Sequence, residues 1–334
     1  MASRWHVVIP DRVAPPAEIE QAVFGDRAVV TALEAHTNAE LRGRHEPADA
    51  ILAWHDLLWD DATLAAMPRC KALVRVGVGF DNVDLAAASR RGIVVSNVPD
   101  YGTHDVADHA MALLLALARG LAGSDRAARG GAWRWGLAPT FRLTEKWLGI
   151  VGLGRIGTAT ALRAKAFGMR VGFYDPYKPS GWDKALALHR FGSLEELART
   201  CDAVSIHTPL TPETRGMIGG PFFAAARPGL VVINTARGPV IEWEAFRAAF
   251  DDGRVACAGL DVLPVEPPDR ADPLIAAWMA GAAGDRLIVT PHCAFYSVEA
   301  LHEMRRKAAE EALRILAGPG PLNRVNAPPG ADTK

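Results

Sequence analysis

Three side chains suited to moving a proton beside a carboxylate lie toward the C-terminal end of the chain. They are Arg237 in Asn234-Thr-Ala-Arg-Gly238, Glu266 in Asp261-Val-Leu-Pro-Val-Glu-Pro267, and His292 in Thr290-Pro-His-Cys293. A guanidinium can clamp a carboxylate with parallel hydrogen bonds and polarise the carbonyl next to it. An imidazole can protonate that carbonyl oxygen as hydride arrives, or remove the hydroxyl proton in reverse. A carboxylate bonded to the imidazole fixes its tautomer and stabilises the imidazolium. Together these groups form a coherent site for interconverting a 2-oxo acid and a 2-hydroxy acid. Taken singly, each has a plainer reading, because arginine and glutamate at strand ends are often surface ion pairs.

Hydride needs a carrier, and residues 146–157 (Lys-Trp-Leu-Gly-Ile-Val-Gly-Leu-Gly-Arg-Ile-Gly) offer it a seat. The apolar run Trp147–Val151 leads into Gly152-x-Gly154-x-x-Gly157. An alanine-rich helical pattern follows over Thr158–Phe167, then a second apolar run, Arg170–Tyr174, ends at Asp175. Strand, glycine turn, helix, strand and acid in that order make a dinucleotide-binding unit. Gly152 permits the tight turn, Gly154 lets the backbone approach a pyrophosphate, and Gly157 lets the helix pack close to the sheet. The free N–H groups and dipole at the helix start face the phosphates. Asp175 would accept hydrogen bonds from both ribose hydroxyls of the adenosine half and repel a 2′-phosphate. Pro176 and Tyr177 supply no cation for one, so NAD(H) is expected over NADP(H).

These groups need strands to carry them. Arg237, Glu266 and His292 each follow an apolar run, at Leu230–Ile233, Val255–Leu260 and Leu287–Val289, with a further run at Ala203–Ile206. Open parallel sheets bind ligands outside the carboxyl ends of their strands, so all three are expected to face the dinucleotide crevice. The first part of the chain alternates in the same way. Apolar runs at Trp5–Ile9, Ala50–Trp54, Ala72–Gly77 and Ile93–Ser96 are separated by helical stretches such as Pro16–Phe24 and Asp60–Ala66. The expected fold is α/β, two doubly wound parallel-sheet (Rossmann-like) domains with a cleft between them.

Other segments carry further expectations. Arg75-Val-Gly77-Val78-Gly79 follows a strand and offers successive amides, a nest that could grip an anion as a second hold on the substrate carboxylate. Thr103-His104-Asp105 can cap a long helix through Ala118, and another helical pattern runs Val298–Leu316. The tail from Gly318 to Lys334, rich in Pro, Gly and Ala, is expected to fray at its end. Residues 121–144 fit neither pattern and carry Trp133 and Trp135 among glycines. They read as an arm packing on another subunit, or as a lid over their own chain.

Composition narrows the classes. A chain of 334 residues, 49% hydrophobic and 22% charged, with formal net charge −1, is long enough for two cores, and it carries no long basic run, so nucleic acid is not an expected partner. The start lacks a basic-then-apolar leader, and the apolar stretch Ala110–Ala118 is too short to span a bilayer. Cys70, Cys201, Cys257 and Cys293 are scattered at no metal-ligand spacing, so no metal is expected and the pattern suits a reduced, cytoplasmic protein.

With these residues in view, the chain resembles the D-isomer-specific 2-hydroxyacid dehydrogenases over roughly residues 50–316. The glycine motif with Asp175, His207-Thr-Pro-Leu-Thr-Pro-Glu-Thr214, Asn234-Thr-Ala-Arg-Gly238, Asp261-Val…Glu266-Pro267 and Thr290-Pro-His292 stand in the family's order. The resemblance implies a substrate-binding domain from residues 1–101 and 296–334 and an NAD-binding domain from 102–295. It also implies a hinged cleft and a homodimer through the inserted domain. Arg237, Glu266 and His292 are then catalytic, and Arg155, Ile156, Thr208, Pro209, Thr214, Thr235, Ala236 and Asp261 line the cofactor beside the glycines and Asp175. Within the family the chain is most similar to the branch of the C-terminal-binding-protein corepressors and their bacterial enzyme relatives. That similarity rests on Arg75…Gly79-Phe80-Asp81-Asn82 and His292-Cys-Ala-Phe-Tyr-Ser297. An NAD(H)-sensing binding protein with little turnover is therefore the alternative to an enzyme.

The corepressors carry tryptophan at the position of Phe295, which implies a different substrate pocket here. Cys293 stands where the branch usually has a small apolar residue. Asp108 replaces a common glutamate, and Glu266 replaces the glutamine of formate dehydrogenases, which argues against formate oxidation. Phe295 and Tyr296 near His292 point to an apolar or aromatic substrate side chain, as in phenylpyruvate or a branched 2-oxo acid. Glyoxylate and hydroxypyruvate remain competitors.

Overall fold

The computed structural model describes residues 4–136 and 140–327. In chain order the elements open with β1 (Trp5–Ile9), α1 (Glu18–Phe24), β2 (Ala28–Ala32), α2 (Asn38–Leu41), β3 (Ala50–Ala53), α3 (Asp61–Ala65), β4 (Ala72–Arg75), α4 (Leu85–Arg90) and β5 (Val94–Asn97). Then come α5 (Thr103–Arg119), α6 (Leu121–Arg129), β6 (Trp147–Val151), α7 (Arg155–Ala166), β7 (Arg170–Tyr174), α8 (Trp182–Leu186), β8 (His189–Arg190), α9 (Leu194–Thr200) and β9 (Ala203–Ile206). The last are α10 (Gly220–Ala225), β10 (Leu230–Asn234), α11 (Trp243–Asp251), β11 (Val255–Leu260), α12 (Pro273–Met279), β12 (Leu287–Val289) and α13 (Val298–Ala317). The chain divides into two compact units, Met1–Gly102 with Ser297–Lys334, and Thr103–Tyr296.

The first unit holds a five-stranded sheet in the order β2-β1-β3-β4-β5, every pair parallel. Its central strands are continuous apolar runs, as strands covered on both faces must be. Ile9, Ile51, Leu52 and Leu73 are almost wholly buried. The chain returns as α13, capped by Ser297 Oγ, which accepts from Ala300 N at 2.9 Å, and stopped at Gly318 (φ 104°). Arg305 of α13 donates from Nε and Nη2 to the two oxygens of Glu20 in α1, both at 2.7 Å, and Glu20 is 2% exposed. Residues after Gly318 are also held. Arg324 pairs antiparallel with Ser96, and Asn326 accepts from Val95 N and donates to Ile93 O, both at 2.9 Å. The tail is thus pinned as far as Ala327, and its expected frayed end lies outside the described residues.

The second unit holds seven parallel strands in the order β12-β11-β10-β9-β6-β7-β8. Strand order reverses between β6 and β9, which places a ligand crevice at the carboxyl ends of those two strands. Helix α5 buries Val106, Ala110, Leu113, Leu114 and Leu117, and its Leu113 lies against β11. Burying one such leucine stabilises the fold by about 1.5–3 kcal/mol. Residues 121–129, read from the sequence as irregular, form helix α6. Beyond it Trp133 and Trp135 are 92% and 96% exposed. Among the described residues no single helix is long and apolar enough to cross a membrane.

Candidate active site

Parallel pairing of β10, β11 and β12 sets their carboxyl ends side by side. Asn234, fully buried at the end of β10, accepts from Ala236 N and donates to Arg237 O, both at 3.0 Å, so the arginine turn is closed by its own asparagine. A Cβ on Gly238 would fall 2.0 Å from the Leu263 carbonyl, so only glycine lets this turn lie on the Leu263–Pro264 backbone. That backbone opens the next loop, where Leu263 N donates to Glu266 Oε1 at 2.9 Å. The other carboxylate oxygen, Oε2, is 2.6 Å from His292 Nδ1. A carboxylate only accepts, so Nδ1 carries a proton there and Nε2 is left to exchange one. Burial alone would raise the Glu266 carboxyl. The His292 bond and charge, the Leu263 amide and the charge of Arg237 outweigh it and hold Glu266 below the usual carboxylate range. Arg237 turns Nη1 toward Ala236 O at 2.7 Å.

His292 sits in the left-handed region at φ 52°, where a side chain other than glycine stays only if its surroundings hold it. They do so through Asp261, 2% exposed at the end of β11. Its backbone oxygen accepts from His292 N at 2.9 Å. Its carboxylate accepts from Cys293 N and Ala294 N, both at 2.9 Å, and from Thr290 Oγ1 at 2.6 Å. Thr290 Oγ1 in turn lies 3.0 Å from Nε2 of His109 on α5. Thr290 stands in the His292 motif without a role of its own in the sequence, and its link to His109, 181 residues away, leaves no local signal. Phe295 stacks edge-on to the His292 ring, 6.4 Å between centroids. The Cys293 thiol is pushed above its ordinary range by burial and by Asp261.

The dinucleotide unit occupies the crevice at β6 and β9. Gly152 has φ 88°, and a Cβ on Gly157 would fall 2.1 Å from Gly152 O, so both the turn and the helix seat require glycine. A Cβ on Gly154 would point into open space. Gly154 heads α7 without a side-chain cap, leaving the first turn, with Arg155 and Ile156, to meet an anion through its amides. Thr208 Oγ1 and Thr235 Oγ1, just past β9 and β10, are buried with no partner, as is fitting for atoms that await a ligand. Asp175 accepts from Leu153 N at 2.9 Å and Tyr177 N at 3.0 Å, which leaves two of the roughly four lone-pair sites of a carboxylate for hydroxyl groups. These features fit a dinucleotide.

Other expected cofactor residues are placed differently. The Thr214 hydroxyl donates to Pro209 O at 2.6 Å and accepts from Thr211 N at 2.8 Å, so it closes the 209–214 loop. Ala236 offers backbone only. His207, beside Thr208, meets Ser205 Oγ at 2.8 Å, and burial pushes its pKa down to about 3, so it is neutral at working pH.

The Arg75–Gly79 turn belongs to the first unit. Arg75 is 5% exposed and donates from Nη1 to Val76 O at 2.6 Å. Gly77 N is committed to Arg75 O at 2.9 Å, and Val78 O accepts from Asn97 Nδ2 at 2.7 Å. Past the carboxyl end of β1 in the same sheet, Arg12 is paired with Asp56 through two bonds of 2.5 and 2.6 Å.

Residues 111–294 match the family described as D-isomer specific 2-hydroxyacid dehydrogenase, NAD binding domain. The chain is 36% identical over 312 residues to D-3-phosphoglycerate dehydrogenase of Mycobacterium bovis, covering 93% of this chain and 57% of that protein. It therefore spans little more than half the length of that relative. It is 37% identical over 287 residues to glyoxylate reductase of Korarchaeum cryptofilum, covering 85% and 84%. Among solved structures, it superposes with TM-score 0.85 and 26% identity on an NADPH-dependent glyoxylate/hydroxypyruvate reductase of Sinorhizobium meliloti in complex with NADP and malonate, covering 98% of each chain.

Proposed function

The chain belongs to the D-isomer specific 2-hydroxyacid dehydrogenase family, and we propose that it interconverts a 2-oxo acid and a D-2-hydroxy acid by hydride transfer with NAD(H). The observation that carries this reading is the 2.6 Å bond from His292 Nδ1 to Glu266 Oε2, beside the turn that bears Arg237. A bound nicotinamide supplies or accepts the hydride. Arg237 holds the substrate carboxylate and draws charge from the neighbouring carbonyl. His292 gives its Nε2 proton to the carbonyl oxygen during reduction and removes the hydroxyl proton during oxidation. Glu266 stays ionised, orients the ring and offsets its positive charge. The unit Thr103–Tyr296 is the cofactor domain, and the unit containing Arg75, Gly77, Val78 and Gly79 is the substrate domain, with that turn as its anion-holding element.

NAD(H) over NADP(H) is favoured by Asp175, whose remaining acceptor capacity suits two hydroxyls and opposes a phosphate. Of the cations at this loop, Arg190 donates to Lys178 O at 3.1 Å and Pro179 O at 2.8 Å, and the Lys178 ammonium lies over the Trp182 ring, 5.2 Å from its centroid. In Asp175→Asn the repulsion is gone, and the ratio of kcat/KM with NADH to that with NADPH is expected to fall by on the order of 10-fold. An unchanged ratio would remove Asp175 from the choice of cofactor.

For the substrate side chain, Phe295 beside His292 favours an apolar group, whereas likeness to glyoxylate reductases favours a small one. Reduction rates for phenylpyruvate, 2-oxoisocaproate, pyruvate, hydroxypyruvate and glyoxylate decide between these. A far higher kcat/KM for glyoxylate than for phenylpyruvate would sink the apolar pocket. Oxidation of the D- but not the L-enantiomer of the preferred hydroxy acid is expected, and preference for the L form would contradict the assignment. We further infer a cytoplasmic homodimer formed through the cofactor unit and the 121–144 arm.

A further inference from the structure

The link from His109 to the turn that carries His292 has a direction. Asp261 is a buried acceptor already holding the Cys293 and Ala294 amides. The single proton of the Thr290 hydroxyl therefore goes to Asp261, 2.6 Å away. The hydroxyl oxygen is then the acceptor for His109, and His109 Nε2 must donate across the 3.0 Å contact. A ring nitrogen of His109, a carboxylate oxygen of Asp261 and the Cys293 sulfur all lie within 4.8 Å of one another, a spacing some cations use. Two amides and the threonine hydroxyl take three of the roughly four lone-pair sites of the Asp261 carboxylate.

We propose that His109 is a positioning residue for His292, acting through Thr290 and Asp261. The proposal rests on the reading of His292 as the acid and base. Helix α5 gives His109 a fixed base. One turn later Leu113 packs on Gly259 of β11, so closely that a Cβ there would fall 2.9 Å from the Leu113 Cβ. His109 holds Thr290, Thr290 holds one face of the Asp261 carboxylate, and that carboxylate keeps residues 292–294 in the turn that gives His292 its positive φ. A network with one unsatisfied buried member is worse than none, so the loss of one donor reaches the histidine backbone.

The test compares steady-state reduction of the best 2-oxo acid by NADH in wild type, His109→Leu, His109→Gln, Thr290→Val and the double variant His109→Leu/Thr290→Val. His292→Ala serves as the reference for the acid–base reading. His109→Leu is expected to lower kcat by about 10- to 100-fold, with KM for the oxo acid within about twofold, because a small misplacement of the proton donor acts on chemistry rather than on binding. His109→Gln keeps an N–H at similar reach and recovers most of the loss. Thr290→Val matches His109→Leu, and the double variant falls no further. If His292→Ala is inactive while His109→Leu turns over like wild type, the positioning role alone is overturned. It is equally overturned if Leu and Gln at 109 lose activity together with a common drop in thermal midpoint, since that is a structural role. If His292→Ala turns over like wild type, the acid–base reading falls and takes this proposal with it.

Discussion

Arg237 is placed by an asparagine that closes its turn and a glycine that lets the turn approach the Glu266 loop. Two charge-assisted hydrogen bonds to a substrate carboxylate are worth about 1.5–3 kcal/mol each. Arg237→Ala is accordingly expected to lower kcat/KM for the oxo acid by roughly 10²- to 10⁴-fold in a steady-state assay. Glu266→Gln keeps the shape and loses the charge, and kcat should fall on the order of 10²-fold. The same substitution has a signature in stability. Glu266 is held below its ordinary value of 4.5, so its ionised form stabilises the fold fully above that pH, and the contribution is lost as pH falls through the lower folded value. The stability advantage of wild type over Glu266→Gln in denaturant titrations should therefore be present at neutral pH and vanish in acid. An advantage that grows on acidification would contradict the assignment of that carboxylate.

Elements differ in how plainly they are written in the chain. Strands β10, β11 and β12 were legible because strands covered on both faces become continuous apolar runs, and the chemistry-bearing residues stand just past them. The glycine unit was legible because its spacing is dictated by contacts of about van der Waals size. Strand β2 is an edge strand of Ala, Val and Thr with one exposed valine, and β8 is two residues long, so neither carries a pattern. Helix α6 carries Gly123 in its first turn, which breaks the helical pattern, and a Cβ there would fall 1.8 Å from an Asp285 carboxylate oxygen. The His109–Thr290 link and the buried Glu20–Arg305 pair are tertiary and leave no trace in spacing. For that pair, Glu20→Ala strands a mostly buried arginine on α13 and should cost about 3–5 kcal/mol of unfolding free energy. Replacing both residues with leucine and methionine should recover most of the loss. If Glu20→Ala unfolds at the wild-type denaturant midpoint, the pair does not hold α1 to α13.

At the scale of the molecule, a 5-stranded and a 7-stranded parallel sheet divide the chain into two units, and the candidate chemistry stands at the carboxyl ends of strands, where such sheets present ligands. Trp133 and Trp135 are almost fully exposed, and the proposed dimer would cover them. Sedimentation should find a dimer in wild type and a shift toward monomer in Trp133→Ser/Trp135→Ser; a wild-type monomer would remove the arm from assembly. The central claim is that the His292–Glu266 pair beside Arg237 moves the proton that accompanies hydride. It is met most directly by NADH oxidation with a panel of 2-oxo acids, comparing wild type with His292→Ala. Wild type is expected to turn over at least one oxo acid, and the variant to lose about 10³-fold or more. NADH binding without turnover of any oxo acid, or turnover that survives His292→Ala, would contradict it, and the first of these would favour a dinucleotide-sensing binding protein.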